Sequence, residues 1–150
     1  MTFEEAVAGT EELADAYRVG LGALRARDKK RITCNDPRDL GGSLDVDDAL
    51  SPSRPNDPRW DYGIGTRKGR RRELVVWIEV HPASSRHVRD VLNKLSWLKS
   101  WLVASAPLLN KFRRKFVWVA SGRVALPQNS PQRKKLAAQG LHFAGRRYRL

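Results

Sequence analysis

The 150-residue sequence contains one cysteine, Cys34, and one methionine. A lone cysteine excludes an internal disulfide and any zinc finger built on cysteine. No apolar run approaches the roughly 18 residues expected of a membrane-spanning helix, so no membrane partner is expected. The opening stretch MTFEEAVAGTEELADAY is acidic and lacks an apolar centre, which speaks against a signal or transit peptide. A cytoplasmic location follows by default. Disorder is not expected either, because 41% of the residues are hydrophobic and five are Trp, whereas disordered chains are poor in such residues. The length suits one domain with one core, residues 1–150, with 34–59 partly loop.

Acidic residues are scarce in the second part of the chain. Residues 1–60 hold 12 acids and 9 bases, a net charge of −3, whereas residues 61–150 hold 4 acids and 20 bases, a net charge of +16. Such asymmetry points to a polyanionic partner, and nucleic acid is the commonest one. The basic runs Arg67, Lys68, Arg70, Arg71, Arg72 and Arg113, Arg114, Lys115 are the candidate phosphate contacts. The clusters 133–135 and Arg146, Arg147, Arg149 are further candidates. Each run taken singly is also compatible with plain solvation.

Local patterns give an order of elements. Residues 2–31 read as one helix, with Thr2 as cap and Leu13, Ala16, Tyr17, Leu21 and Leu24 at helical spacing. Gly9 and Gly20 leave room for a break or a second short helix. A short strand is expected within residues 42–50, and further strands at 60–66 and 74–81, the latter two joined by the basic loop 67–72. The second of these is apolar on both faces and reads as central, ending at Pro82. Ser84 or Ser85 is expected to cap a helix reaching about Ala104, with a stripe of Val88, Val91, Leu92, Leu95, Leu98 and Leu102. A strand at 116–120, a helix opened by Ser130 and Pro131 and closed by Gly140, and one or two final strands complete the order. The fold class is α/β (α+β), with a central mixed sheet of four to five strands flanked by helices.

Strand alternation singles out a few polar residues. Leu74, Val76, Ile78 and Val80 face one way, and Val75, Trp77, Glu79 and His81 the other. An acid within a central strand needs a partner or a metal. The hairpin brings Asp61, at the start of its first strand, close to Glu79 and His81. The helix after Pro82 begins beside them and carries Lys94 on the flank of its apolar stripe.

Asp61, followed 18 residues later by the triplet Glu79-Val80-His81, resembles the pattern of the PD-(D/E)XK nuclease superfamily, with His in place of the usual Lys. The resemblance spans about residues 2–120 and implies a restriction-endonuclease-like αβββαβ core. It further implies a metal-dependent nuclease that hydrolyses phosphodiester bonds in DNA or RNA. Asp61, Glu79 and the Val80 carbonyl would bind Mg²⁺ or Mn²⁺, a hard ion suited to oxygen ligands. His81, or Lys94 arriving from the helix, would take the place of the missing Lys. Glu5 or Glu12 would add a metal contact from the first helix, and Asp45, Asp47 and Asp48 are close enough in sequence to approach.

Each of these residues also has an ordinary structural use: Glu79 in an ion pair, Asp61 at a strand end, His81 in a packed sheet, Lys94 on a solvated helix face. Two other functions therefore stay open. One is a noncatalytic nucleic-acid-binding module on the same fold. The other is a small protein-interaction domain, as a homodimer or within a larger complex, that uses Trp97 and Trp101 as its interface. Those two residues, at i and i+4, would otherwise stack on bases or pack against the first helix.

Overall fold

The computed structural model describes residues 1–69 and 71–150; Arg70, one of the candidate phosphate contacts, lies outside the described residues. In chain order the elements are α1 (Phe3–Ala8), β1 (Ile32–Thr33), β2 (Leu40–Asp45), α2 (Val46–Leu50), β3 (Tyr62–Thr66), β4 (Leu74–Ser84), α3 (Val88–Ser105), α4 (Pro107–Asn110), β5 (Arg113–Ala125), α5 (Pro131–Ala138), β6 (Leu141–Gly145) and β7 (Tyr148–Arg149). Five strands form one sheet in the order β2-β3-β4-β5-β6. The β2–β3 and β3–β4 pairings are antiparallel, and β4–β5 and β5–β6 are parallel. The expected mixed sheet is therefore present, with β4 central. The short strands β1 and β7 form a separate parallel pair.

Alternation along β4 feeds two cores, one on each face of the sheet. Val75 and Trp77 are buried with Phe3 of α1 and with Val91, Leu95 and Leu98 of α3. Val76 and Ile78 are buried on the other face with Leu24 and Ile32. Gly63 and Gly65 of β3 are recesses for large neighbours. A Cβ on Gly63 would lie 2.6 Å from the Trp77 ring, and one on Gly65 would lie 2.7 Å from Phe3. Glycine is required there by close approach.

The expected helix over residues 2–31 does not form. Thr2 does cap α1, in a reciprocal capping box with Glu5, but the helix stops at Ala8 with Gly9 as its C-cap. The continuing chain makes short turns, including 3₁₀ turns at Glu11–Leu13 and Ala26–Asp28. The reason lies in the two cores. Leu13 packs with the helix-side core, whereas Leu24 packs on the opposite face. No straight helix reaches both, so the segment wraps round the edge of the sheet, bridging to β2 through Arg18 and Ser43.

Other expectations are adjusted in detail. β4 runs past Pro82 to Ser84, with a register irregularity between His81 and Ala83 that accommodates the missing N–H. Neither Ser84 nor Ser85 caps α3. A 3₁₀ turn at Ser85–His87 precedes the helix, and the Ser84 hydroxyl instead meets His87 Nδ1 at 2.7 Å. Ser130 does cap α5, accepting from the Arg133 N–H.

Candidate functional site

The β3–β4 ladder ends at the pair Tyr62–Ile78, so Asp61 and Glu79 face each other one step beyond it. There the two side chains replace the ladder. The Asp61 N–H donates to Glu79 Oε1 at 3.1 Å, and the Val80 N–H donates to Asp61 Oδ2 at 2.9 Å. Each carboxylate thus satisfies a buried backbone donor of the other strand. Glu79 is fully buried and Asp61 is 7% exposed.

Lys94 reaches this pair from the second turn of α3, with Nζ 2.6 Å from Glu79 Oε2. His81, on the same face of β4, places Nδ1 3.4 Å from the same oxygen. The Lys94 and His81 side chains keep 24% and 18% of their surface exposed, so the site opens to solvent on their side. All four residues that the sequence singled out for chemistry are therefore together at one end of the sheet.

The electrostatics of the pair are uneven. Burial, followed by the negative charge of Glu79, pushes the Asp61 carboxyl up to about 8, against the pull of Lys94, the Val80 N–H and Arg25. Burial disfavours the Lys94 ammonium, but the charge and hydrogen bond of Glu79 more than offset it, with Asp61 and Asp47 adding to the effect, so its pKa is raised. The two shifts favour a charged Lys94 and a protonated Asp61 in the metal-free site.

Arg25 is a site residue that the sequence does not single out. Its guanidinium lies 3.2 Å from Asp45, 2.9 Å from Asp47 and 3.7 Å from Asp61. Its backbone is anchored from the other face, where the Arg25 N–H donates to the Tyr62 hydroxyl and that hydroxyl donates to the buried Asp28 at 2.6 Å. Asp45 and Asp47 thus approach the site through Arg25. Asp48 has no part in this contact, although its N–H is capped by Asp45.

Glu5 and Glu12 are not at the site. Glu5 belongs to the capping box of α1. Glu12 is a structural hub that accepts from Ser53 (2.8 Å), Arg54 (3.0 Å) and the Trp101 indole N–H (3.2 Å). The Arg54 hydrogen bond lowers its pKa against some burial. Trp97 and Trp101 stack on each other with ring centroids 5.8 Å apart, and Trp97 donates to Asp57. Trp101 is 3% exposed and offers no surface to a base or a partner protein.

The basic runs named from the sequence do not join the site. Arg67, Lys68, Arg71 and Arg72 are exposed in the loop between β3 and β4, at the end of the sheet opposite Asp61. Arg113, Arg114 and Lys115 are exposed beside Leu74, Val75 and Val76. At about 3.3 Å per residue, these positions lie roughly 10–17 Å from Glu79 along the strand.

Among the described residues, no group of three or more His, Cys, Asp or Glu side chains is arranged to hold a metal ion. Asp61 and Glu79 are adjacent oxygen donors, and Asp61 Oδ1 has only the 3.7 Å contact to Arg25. Mg²⁺ is commonly held by one or two carboxylates, with water and substrate phosphate filling the remaining positions. No helix of the described residues is long and apolar enough to cross a membrane. No protein-family model, curated protein or solved structure matches the chain.

Proposed function

We propose that the protein is a divergent member of the PD-(D/E)XK nuclease superfamily that hydrolyses phosphodiester bonds at Asp61, Glu79 and Lys94. The observation that carries this reading is the ion pair between Lys94 and Glu79 at 2.6 Å, directly beside Asp61. A cation at that place answers the main departure from the family pattern, the absence of Lys at position 81. The order of α1, the β2–β3–β4 meander, the crossover helix α3 and the parallel strand β5 agrees with the same reading. Two buried carboxylates side by side are costly beyond the backbone hydrogen bonds they accept, and perturbed acids of this kind gather at functional sites.

Asp61 and Glu79 would hold Mg²⁺ or Mn²⁺, together with the carbonyl of Val80, and the ion would supply Lewis-acid polarisation of the scissile phosphate. Lys94 spends one donor on Glu79 and has others with which to orient an attacking water and offset charge developing on the phosphoryl oxygens. His81 can hold or pass a proton beside Glu79 Oε2. The water oxygen bonds to phosphorus as the ester P–O bond breaks. One water proton leaves to the site, and the departing alcohol oxygen takes up a proton.

Incubation with single- and double-stranded DNA and RNA, with Mg²⁺ or Mn²⁺ and separately with EDTA, tests this function. Cleavage that requires the metal is the expected result. Salt-sensitive binding without cleavage would establish the noncatalytic module instead, because phosphate contacts weaken steeply with salt.

A further inference from the structure

The structure joins two basic clusters that are more than a hundred residues apart in sequence. β7 pairs in parallel with β1, Ile32 against Tyr148, and the Tyr148 N–H donates to the Arg31 carbonyl at 2.8 Å. Gly145, at φ +77°, turns the chain out of β6 just before the pairing. Arg146 and Arg147 are thereby brought near Lys30 and Arg31. Together they line a cleft of about 580 Å³ floored by Ala120, Ser121 and Gly122 of β5.

The cleft has the charge of a phosphate site. Among the described residues, no acidic side chain lines it. Lys30, Arg146 and Arg147 are exposed. Arg31 is more firmly placed: its guanidinium donates to the Ser121 carbonyl at 2.8 Å and to the Arg27 carbonyl, and lies 3.5 Å from Asp28. Its position is equally telling. Ala120 is the register partner of His81. The cleft therefore lies at the same end of the sheet as Glu79, one strand, about 5 Å, from the His81 backbone, with its Ala144 on the face opposite the His81 side chain, so a strand would pass over the end of the sheet to reach the site.

We infer that this cleft binds the sugar-phosphate backbone of one nucleic-acid strand and leads it to the Asp61–Glu79–Lys94 site. The inference rests on nucleic acid being the ligand of that end of the sheet. It displaces Arg67, Lys68, Arg71 and Arg72 and the run 113–115 as the principal phosphate contacts, since these lie at the far end.

Fluorescence anisotropy of labelled single-stranded DNA, and of RNA of the same sequence, tests it in EDTA, where no cleavage interferes. Three proteins are compared over a salt series: wild type, Arg146→Ala/Arg147→Ala, and Lys68→Ala/Arg71→Ala. All four substituted side chains are exposed, and circular dichroism confirms that each variant is folded. The cleft variant is expected to bind about tenfold more weakly or worse, with a salt slope shallower by about one per lost phosphate contact. The loop variant should lose far less. Wild-type affinity in the cleft variant, an equal loss in the loop variant, or no binding by the wild type would overturn the inference. Binding is read without cleavage, so absence of nuclease activity would sink the proposed function and leave the binding result to decide the cleft.

Discussion

Replacing Lys94 with Ala is expected to lower stability by about 3–5 kcal/mol, the cost of leaving a buried charge without its partner. Glu79 is fully buried, and one of its oxygens relies on the Lys94 ammonium at 2.6 Å. His81, 3.4 Å away, is the remaining nearby group able to answer that charge. In a chain of this size the loss corresponds to a fall in melting temperature of roughly 10 °C. The double variant Glu79→Gln/Lys94→Ala removes both charges and should recover most of the loss, giving a clear coupling energy in a double-mutant cycle with the single variants Lys94→Ala and Glu79→Gln. Thermal and denaturant unfolding of the three variants measures it. Equal stability of Lys94→Ala and wild type would mean that the ion pair does not form in solution.

Asp61→Asn is expected to act in the opposite direction and to stabilise the metal-free protein at alkaline pH. The folded-state pKa of Asp61, about 8, lies above its ordinary value of 3.8. An acid shifted this way keeps a proton in the folded state that the unfolded chain releases. Stability therefore falls as pH rises from about 4 to about 8 and levels off above that. A shift of this size corresponds to a change on the order of 5 kcal/mol. Asn keeps an oxygen for the Val80 N–H and carries no charge, so the variant should lack most of this slope. It should also melt several degrees above wild type beyond pH 8. Unfolding in EDTA across that range checks the claim, and parallel slopes in the two proteins would refute it. A gain in stability on removing an acid is what a site arranged for function rather than for stability should show.

The pairing of Asp61 with Glu79 was legible because β-strand alternation is strict and the loop between the strands is short. The placement of Lys94 followed from the stripe of α3, whose buried residues fix which flank meets the sheet. The course of residues 9–31 was not legible. Its apolar residues satisfy a helical spacing, yet Leu13 and Leu24 belong to different faces of a sheet that the sequence does not draw. Arg25 was missed for the same reason, since its place at the site depends on the chain wrapping round β2. The basic clusters show the limit of composition most clearly. Charge raises the expectation of a polyanionic partner but does not show where the basic residues meet, because the β1–β7 pairing that gathers Lys30, Arg31, Arg146 and Arg147 is long-range and only two residues wide.

Asp61, Glu79 and Lys94 are proposed to act as one metal-assisted cleaving centre. The measurement that tests this most directly is the rate of Mg²⁺- or Mn²⁺-dependent cleavage by Glu79→Gln beside wild type. The Gln side chain keeps an oxygen for the Asp61 N–H, and Lys94 can turn its charge to Asp61, so the fold should persist. The predicted result is a loss of about 1000-fold or more in rate, with nucleic-acid binding in EDTA unchanged. Cleavage by Glu79→Gln at the wild-type rate would contradict the account.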